Sequence, residues 1–386
     1  MENNKKYKKA ISLEGAIFSA LFILFFYFLG SKMGVVNMFN TLMKTAHDLL
    51  LNTVFFIMGI AVLAGAIAAL FSEFGVVSVV NKVLSPLMKP LYDLPGAATL
   101  GILTTYLSDN PAIITLAQDK GFKRYFKKYQ IPALTNLGTA FGMGLIVTTF
   151  MIAQKSPIGE SFIGPALIGN LGAVVGSMVS VRIMLHFTKK EYGTEAMALE
   201  TKSDDGVDLI NYREIREGSV GGRFLEAMLE GGKSGVEMGV AIIPGVVIIC
   251  TLVLMLTKGP GAAGYTGAAY EGVPVLPWIG DKLGFILNPL LGFKNSQAIA
   301  FPVTALGAVG AAIGLVPEFL KNNLIGGNEI AVFTAMGMCW SGYLSTHVAM
   351  MDSLDCRQLT GKAILSHTVG GLCAGIFAHF LYVLIF

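Results

Sequence analysis

Long apolar runs alternate with short polar joints along the chain, and the runs have the length of membrane spans. Seven stretches carry little or no charge: Ile11–Met33, Leu50–Phe74, Ile131–Ala153, Phe162–Phe187, Val236–Thr257, Glu329–Met350 and Ala363–Phe386. The hydrocarbon core of a bilayer takes about 20 apolar residues of α-helix, so each stretch predicts a spanning helix. Two other apolar stretches are irregular. Val76–Asp119 holds Pro86, Pro90, Pro95 and Pro111, and Val273–Leu324 holds Pro274, Pro277, Pro289, Pro302 and Pro317. An internal proline removes a helix hydrogen bond and crowds the preceding turn. Each stretch therefore predicts two short helices forming a re-entrant hairpin, with its polar turn at Asp93–Gly96 or at Phe293–Gln297. Such backbone is tolerated at membrane depth only where protein covers it or where it lines a wet cavity.

The order of elements repeats. A span, a proline-rich hairpin and two more spans occupy residues 46–188, and the same order recurs in 222–386. Residues 1–45 hold an N-terminal tail and an extra first helix, and 189–221 form a hydrophilic linker. Thr135-Asn136-Leu137-Gly138 with Phe141-Gly142 matches Thr334-Ala335-Met336-Gly337 with Trp340-Ser341 in order and place. Three spans per repeat is an odd number, so the repeats must cross the membrane in opposite senses. The predicted fold is an all-α integral membrane protein of two inverted repeats. Each repeat has three transmembrane helices plus a re-entrant helical hairpin, and one N-terminal helix precedes them. Inverted repeats with broken helices mark secondary transporters, which bind solute near the midplane between repeats.

Composition agrees. Of 386 residues, 54% are hydrophobic and 14% charged, against about 25% charged in a soluble domain. A net charge of +3 gives no reason to expect nucleic acid as a partner. Most of the lysines and arginines fall at the N-terminal tail (Lys5, Lys6, Lys8, Lys9), around Arg124 and in the linker. By the positive-inside rule these sides are cytoplasmic. The expected placement is multi-pass in the cell inner membrane, with the N-terminus cytoplasmic and the C-terminus outside. The first helix resembles a signal peptide, but its length and the lack of a small-residue cleavage site predict that it is retained. The linker acids Glu200, Asp204, Asp205 and Asp208 read as solvated. Cys250, Cys339, Cys356 and Cys373 show no CxxC spacing, and they and the methionines near Met336–Met351 read as packing residues rather than metal ligands. No Walker A, HExxH or GxSxG sequence is present. An enzyme, a resident cofactor and a metal centre are not expected.

Candidate chemistry sits where polar groups interrupt apolar runs. Asp109, in Ser108-Asp109-Asn110-Pro111, is an ionisable residue in an apolar stretch and so a functional candidate by default. Asp109, Ser108, Thr135 and His347 are the candidates for coupling to Na⁺ or H⁺. Asn110, Asn136, Asn295, Ser296, Gln297, Ser345 and Thr346 are the candidates for binding solute, since amides and hydroxyls offer both donors and acceptors. Ser341, Ser345, Thr346 and His347 recur three to five residues apart on one helical face.

Residues Tyr106–Pro111, Thr135–Gly144, Asn295–Thr304 and Gly337–Thr346 carry a resemblance. The chain resembles the nucleoside-recognition, or Gate-domain, membrane proteins, which include the paired spore-maturation A and B proteins. More distantly it is similar to the concentrative nucleoside transporters and to the membrane part of the ferrous iron transporter B family, whose GTPase domain it lacks. The resemblance covers about residues 45–386, one Gate domain per repeat. It implies an ion-coupled transporter of a small polar solute (a nucleoside, amino acid or small peptide), embedded in the lipid bilayer and open to homo-oligomer formation. Two other readings remain: a non-transporting assembly or signalling partner of the spore-maturation kind, and a divalent metal permease.

Overall fold

A computed structural model describes residues 10–199 and 212–386, apart from the side chains of Lys120, Gly121 and Ser345. The N-terminal lysines and the four linker acids lie outside the described residues. Among the described residues there is no strand, and six helices are long and apolar enough to cross a membrane: Leu13–Met33, Val35–Glu73, Lys128–Ala153, Ile163–Tyr192, Val220–Met255 and Arg357–Ile385. The chain has an all-α, multi-pass membrane fold.

Helix α1 (Leu13–Met33) turns at Gly34, with φ of 80°, straight into α2 (Val35–Asp48). A π-helical segment, Leu49–Val54, continues α2 into α3 (Phe55–Glu73). Residues 35–45 therefore belong to the second span, and the expected division after residue 45 cuts a continuous helix. After α3 come α4 (Val76–Tyr92), α5 (Ala98–Leu107), α6 (Ala112–Gln118), α7 (Ala133–Thr139), α8 (Gly144–Ala153) and α9 (Ile163–Tyr192). The second repeat runs α10 (Val220–Ala241), a π-helical segment Gly245–Cys250, and α11 (Thr251–Met255). It continues with α12 (Val275–Leu291), α13 (Ala300–Ala305), α14 (Val309–Gly314) and α15 (Val316–Lys321), then α16 (Gly327–Cys339), α17 (Tyr343–Ser353) and α18 (Thr360–Ile385).

The hairpins differ from expectation in one respect. Their tips lie at Ser108–Pro111 and at Leu306–Ala308, one element later in the chain than the predicted turns. Pro86 and Pro90 are accommodated inside α4, and Pro289 inside α12. These two helices keep an exposed apolar stripe (Val79, Val83 and Leu87 on α4) despite their prolines. Asp93–Gly96 and Phe293–Gln297 are the joints between these connecting helices and the hairpins proper. At the first joint Asp93 adopts φ of 57° and meets Lys189 at 2.7 Å as well as Lys89. Burial alone would raise the Asp93 carboxyl, but the hydrogen bonds from the two ammonium groups outweigh it and hold the group below the usual carboxylate range. The expected span Glu329–Met350 is also no single rod. It is α16 and α17, broken at Trp340–Gly342.

Glycines show how the repeats are related. A Cβ on Gly65 of α3 would lie 2.3 Å from the Gly231 carbonyl oxygen of α10, and one on Gly235 would lie 2.4 Å from that of Ala61. Numbers rise on one helix as they fall on the other, so α3 and α10 run antiparallel with their backbones in contact. Small residues permit such close approach in membranes. The closing helices α9 and α18 meet likewise, with Gly176 against the Gly370 carbonyl and Gly172 against that of Ala374. Equivalent helices of the two repeats are antiparallel, which is the inversion that the odd span count requires.

The two ends of the molecule are fastened differently. At the end of α3, buried Glu73 accepts from Arg216 at 2.8 Å and from Arg223 at 2.6 Å, which ties the end of the linker down. A carboxylate is buried this far only when it is paired. At the opposite end Lys258, in the loop after α11, pairs with Glu318 of α15 at 3.3 Å.

Candidate functional site

Both hairpin tips and the breaks in both broken helices converge at the centre of the molecule. The breaks are equivalent: Met143 and Gly342 adopt the left-handed conformation, with φ of 55° and 68°, each just before the second half-helix. The offset that aligns Thr135 with Thr334 also aligns Met143 with Gly342. A non-glycine residue with positive φ is uncommon and marks sites the surroundings over-determine.

Hairpin 1 rests on the first broken helix through glycines. Tyr106 lies over Gly144, and Ile113 over Gly138. At the tip, buried Asn110 donates from Nδ2 to the Ser341 carbonyl at 2.6 Å, linking hairpin 1 to the second repeat's break. Its Oδ1 has no donor among the described residues and sits where a side chain on Gly142 would be, 1.4 Å from an ideal Cβ. Hairpin 2 docks on the same break through its backbone. The Gly342 N–H donates to the Ala305 carbonyl at 3.1 Å, and that of Leu344 to Leu306 at 3.4 Å.

A cavity of about 340 Å³ lies between these parts. Asp109 and Asn110 line it from hairpin 1, Gly307–Ala311 from hairpin 2, Ser341 and Thr346 from the second break, Met238 and Ala241 from α10, and Ile242 just after it. Asp109 is half-buried and accepts from the Asn110 N–H at 2.7 Å. A second cavity, about 260 Å³, lies on the other side of the tip at Ser108 and runs to Ser72 and Val77 near the end of α3. Met238 borders both cavities. On the opposite side α14 packs against the π-helical segments, Gly314 lies against Cys250 and Thr53, and Lys258 pairs with Glu318. The neighbouring cavity at Ser108 extends toward the end that carries Glu73.

The expected site residues separate into groups. Asp109, Asn110 and Thr346 meet in the cavity, and Ser108 faces its neighbour. The Ser345 side chain lies outside the described residues. Asn295 and Ser296 line two other pockets, both including Lys294; Asn295 caps Gln297 N at 2.9 Å. The structure does not bring these three to the tips, because the second hairpin turns at Leu306–Ala308.

Thr135, Asn136 and His347 are buried in the core behind the site. Asn136 belongs to a chain that sequence reasoning missed. Its Nδ2 donates to Ser180 Oγ at 2.9 Å and to the Ala363 carbonyl at 3.0 Å. Ser180 Oγ lies 2.9 Å from His367 Nδ1, and His367 Nε2 bonds the Cys339 carbonyl. A carbonyl can only accept, so Nε2 carries the proton and Nδ1 accepts from Ser180. His367 thereby caps the C-terminal end of α16 at its break, where helix carbonyls lack partners. The signal was available: Ser180 and His367 interrupt apolar spans just as Asp109 does. The His347 ring lies tilted at 46° to His367, 4.7 Å away by centroids, and neither of its nitrogens has a hydrogen bond among the described residues. Among the described residues no group of three or more metal-ligating side chains occurs.

Comparison with solved structures follows this architecture. The chain is similar to the concentrative nucleoside transporter CNTnw in an inward-facing substrate-bound state, with a TM-score of 0.54 and 12% identity, over 96% of this chain and 85% of that one. A point variant of CNTnw in the intermediate 2 state matches with a TM-score of 0.50 and 12% identity, over 95% and 84% of the two chains. Neither a family model nor a curated protein sequence matches. The likeness establishes the fold: a helical membrane protein built as CNTnw is.

Proposed function

We propose that the chain is a secondary transporter that moves a small polar solute by exposing the tip cavity to each side of the membrane in turn. The observation that carries this reading is the convergence of two hairpin tips and two helix breaks on one central cavity. Helix breaks free backbone groups from their ladders, and such groups at membrane depth need a cavity or ligand to serve. Asn110, with an acceptor oxygen lacking a donor, and the Ser341 carbonyl beside it suit a coupling ion such as Na⁺. CNTnw is known in an inward-facing and an intermediate state, which fits a cycle of this kind. The solute class includes nucleosides, amino acids and small peptides. The cytoplasmic side is the one with Glu73 and the linker, where the basic residues gather.

The test is thermal stability of the purified protein against nucleosides, amino acids, small peptides and small amines, with and without Na⁺. A ligand at 100 times its Kd stabilises the folded state by about 2.7 kcal/mol. One responding class, with a response enlarged by Na⁺, is the expected result. No response to any solute or ion would favour the assembly-partner reading instead.

A further inference from the structure

We propose that the solute is an organic cation, held by its ammonium group against Asp109. The inference rests on the transport reading and names its substrate class.

Among the described residues, Asp109 is the one ionisable side chain lining either of the two cavities that Met238 borders. One of its oxygens accepts the Asn110 N–H, and no lysine, arginine or histidine among the described residues pairs with it. The other deeply placed acids are held more fully: Glu73 by two arginines, Glu318 by Lys258, and Glu271 and Glu329 each by at least two N–H donors. A carboxylate set in protein at membrane depth without a counter-charge is costly. A cationic ligand supplies the counter-charge that no described side chain offers Asp109.

The remaining lining narrows its chemistry. No basic side chain is present to receive an anion, and no aromatic ring to stack on a base. Met143, Met238, Ile242 and Val309 make the other walls apolar. A bare inorganic ion leaves most of a cavity of about 340 Å³ unused. A small alkylammonium fills both parts, with its N–H donors toward Asp109 and its carbon chain along the methionines, which adapt to irregular ligands.

The experiment compares butylammonium, putrescine and choline with uncharged 1-butanol, uridine, alanine, succinate, Na⁺ and K⁺. Binding to the full chain is read by thermal shift and by calorimetry at constant ionic strength. At least one organic cation is expected to bind, and its uncharged isostere not to. Asp109→Asn should weaken that cation about thirtyfold, and Asp109→Glu should retain part of the affinity. The stability of each unliganded variant is measured alongside. The butylammonium–butanol comparison uses the unaltered protein, so it decides even if a variant fails to fold. Equal binding of charged and uncharged isosteres, undiminished binding to Asp109→Asn, or a response to inorganic ions alone would overturn the proposal. Binding of a neutral solute independently of Asp109 overturns it while leaving the transport reading intact. No binding of any probe removes both.

Discussion

Replacing Gly142 by alanine is expected to abolish solute binding and transport while the protein still inserts. The new Cβ would fall 1.4 Å from Asn110 Oδ1 and 3.1 Å from Ser341 Oγ. Neither side chain has room to yield, because Asn110 is fully buried between the two breaks and bonded to the Ser341 carbonyl. The hairpin tip must back away, the Asn110–Ser341 bond is lost, and Asp109 moves with it. Overpacking of this kind costs about 1–3 kcal/mol, which a large helical protein can survive, whereas a site displaced by about an ångström loses function by about a hundredfold. Gly59→Ala is the control. Gly59 lies within α3 with nothing within 4 Å of an added Cβ, so that change should be silent or mildly stabilising. Counterflow in proteoliposomes reads both variants, and normal transport by the Gly142 variant would show that the tip does not dock there in the working cycle.

Replacing His367 by leucine is expected to be the most damaging change in the core away from the cavity. It removes two hydrogen bonds, leaving the Ser180 O–H without this acceptor and the Cys339 carbonyl without this donor, while Ser180 Oγ still accepts from Asn136. Each orphaned buried group costs about 1–3 kcal/mol, so a loss on the order of 3 kcal/mol follows. The neighbouring His347 makes the contrast. Its nitrogens have no partner among the described residues, so His347→Leu gives up no hydrogen bond seen there and should be near neutral for stability. Denaturation of the two variants in detergent separates these outcomes. A destabilised His347 variant beside an unaffected His367 variant would contradict the assigned network.

The all-α membrane fold was legible because its signal is strong and cumulative: runs of bilayer length, spaced by prolines, in an order that recurs. The inversion followed from parity alone, and antiparallel packing at Gly65 and Gly231 bears it out. Asp109 and Asn110 were legible for a related reason, since polar groups in an apolar stretch are conspicuous. The hairpin tips were harder to place. Leu306-Gly307-Ala308 is as apolar as its flanks, so the polar segment Asn295–Gln297 drew the turn to itself. The helix breaks were equally hidden, because Phe141–Met143 and Trp340–Gly342 break the ladder through backbone conformation and keep the hydropathy of a span. The His367 network depends on contacts between residues of opposite repeats, more than 180 positions apart, which no local pattern encodes.

The central claim is that one cavity opens to both sides. Thr346→Cys, in a background lacking the four native cysteines, places a single thiol in that cavity. It is labelled with a membrane-impermeant reagent applied from either side of oriented vesicles. The account predicts labelling from both sides, with a bound solute protecting the thiol from each. Labelling from one side only, unchanged by any solute, would contradict alternating access and leave a static pocket in its place.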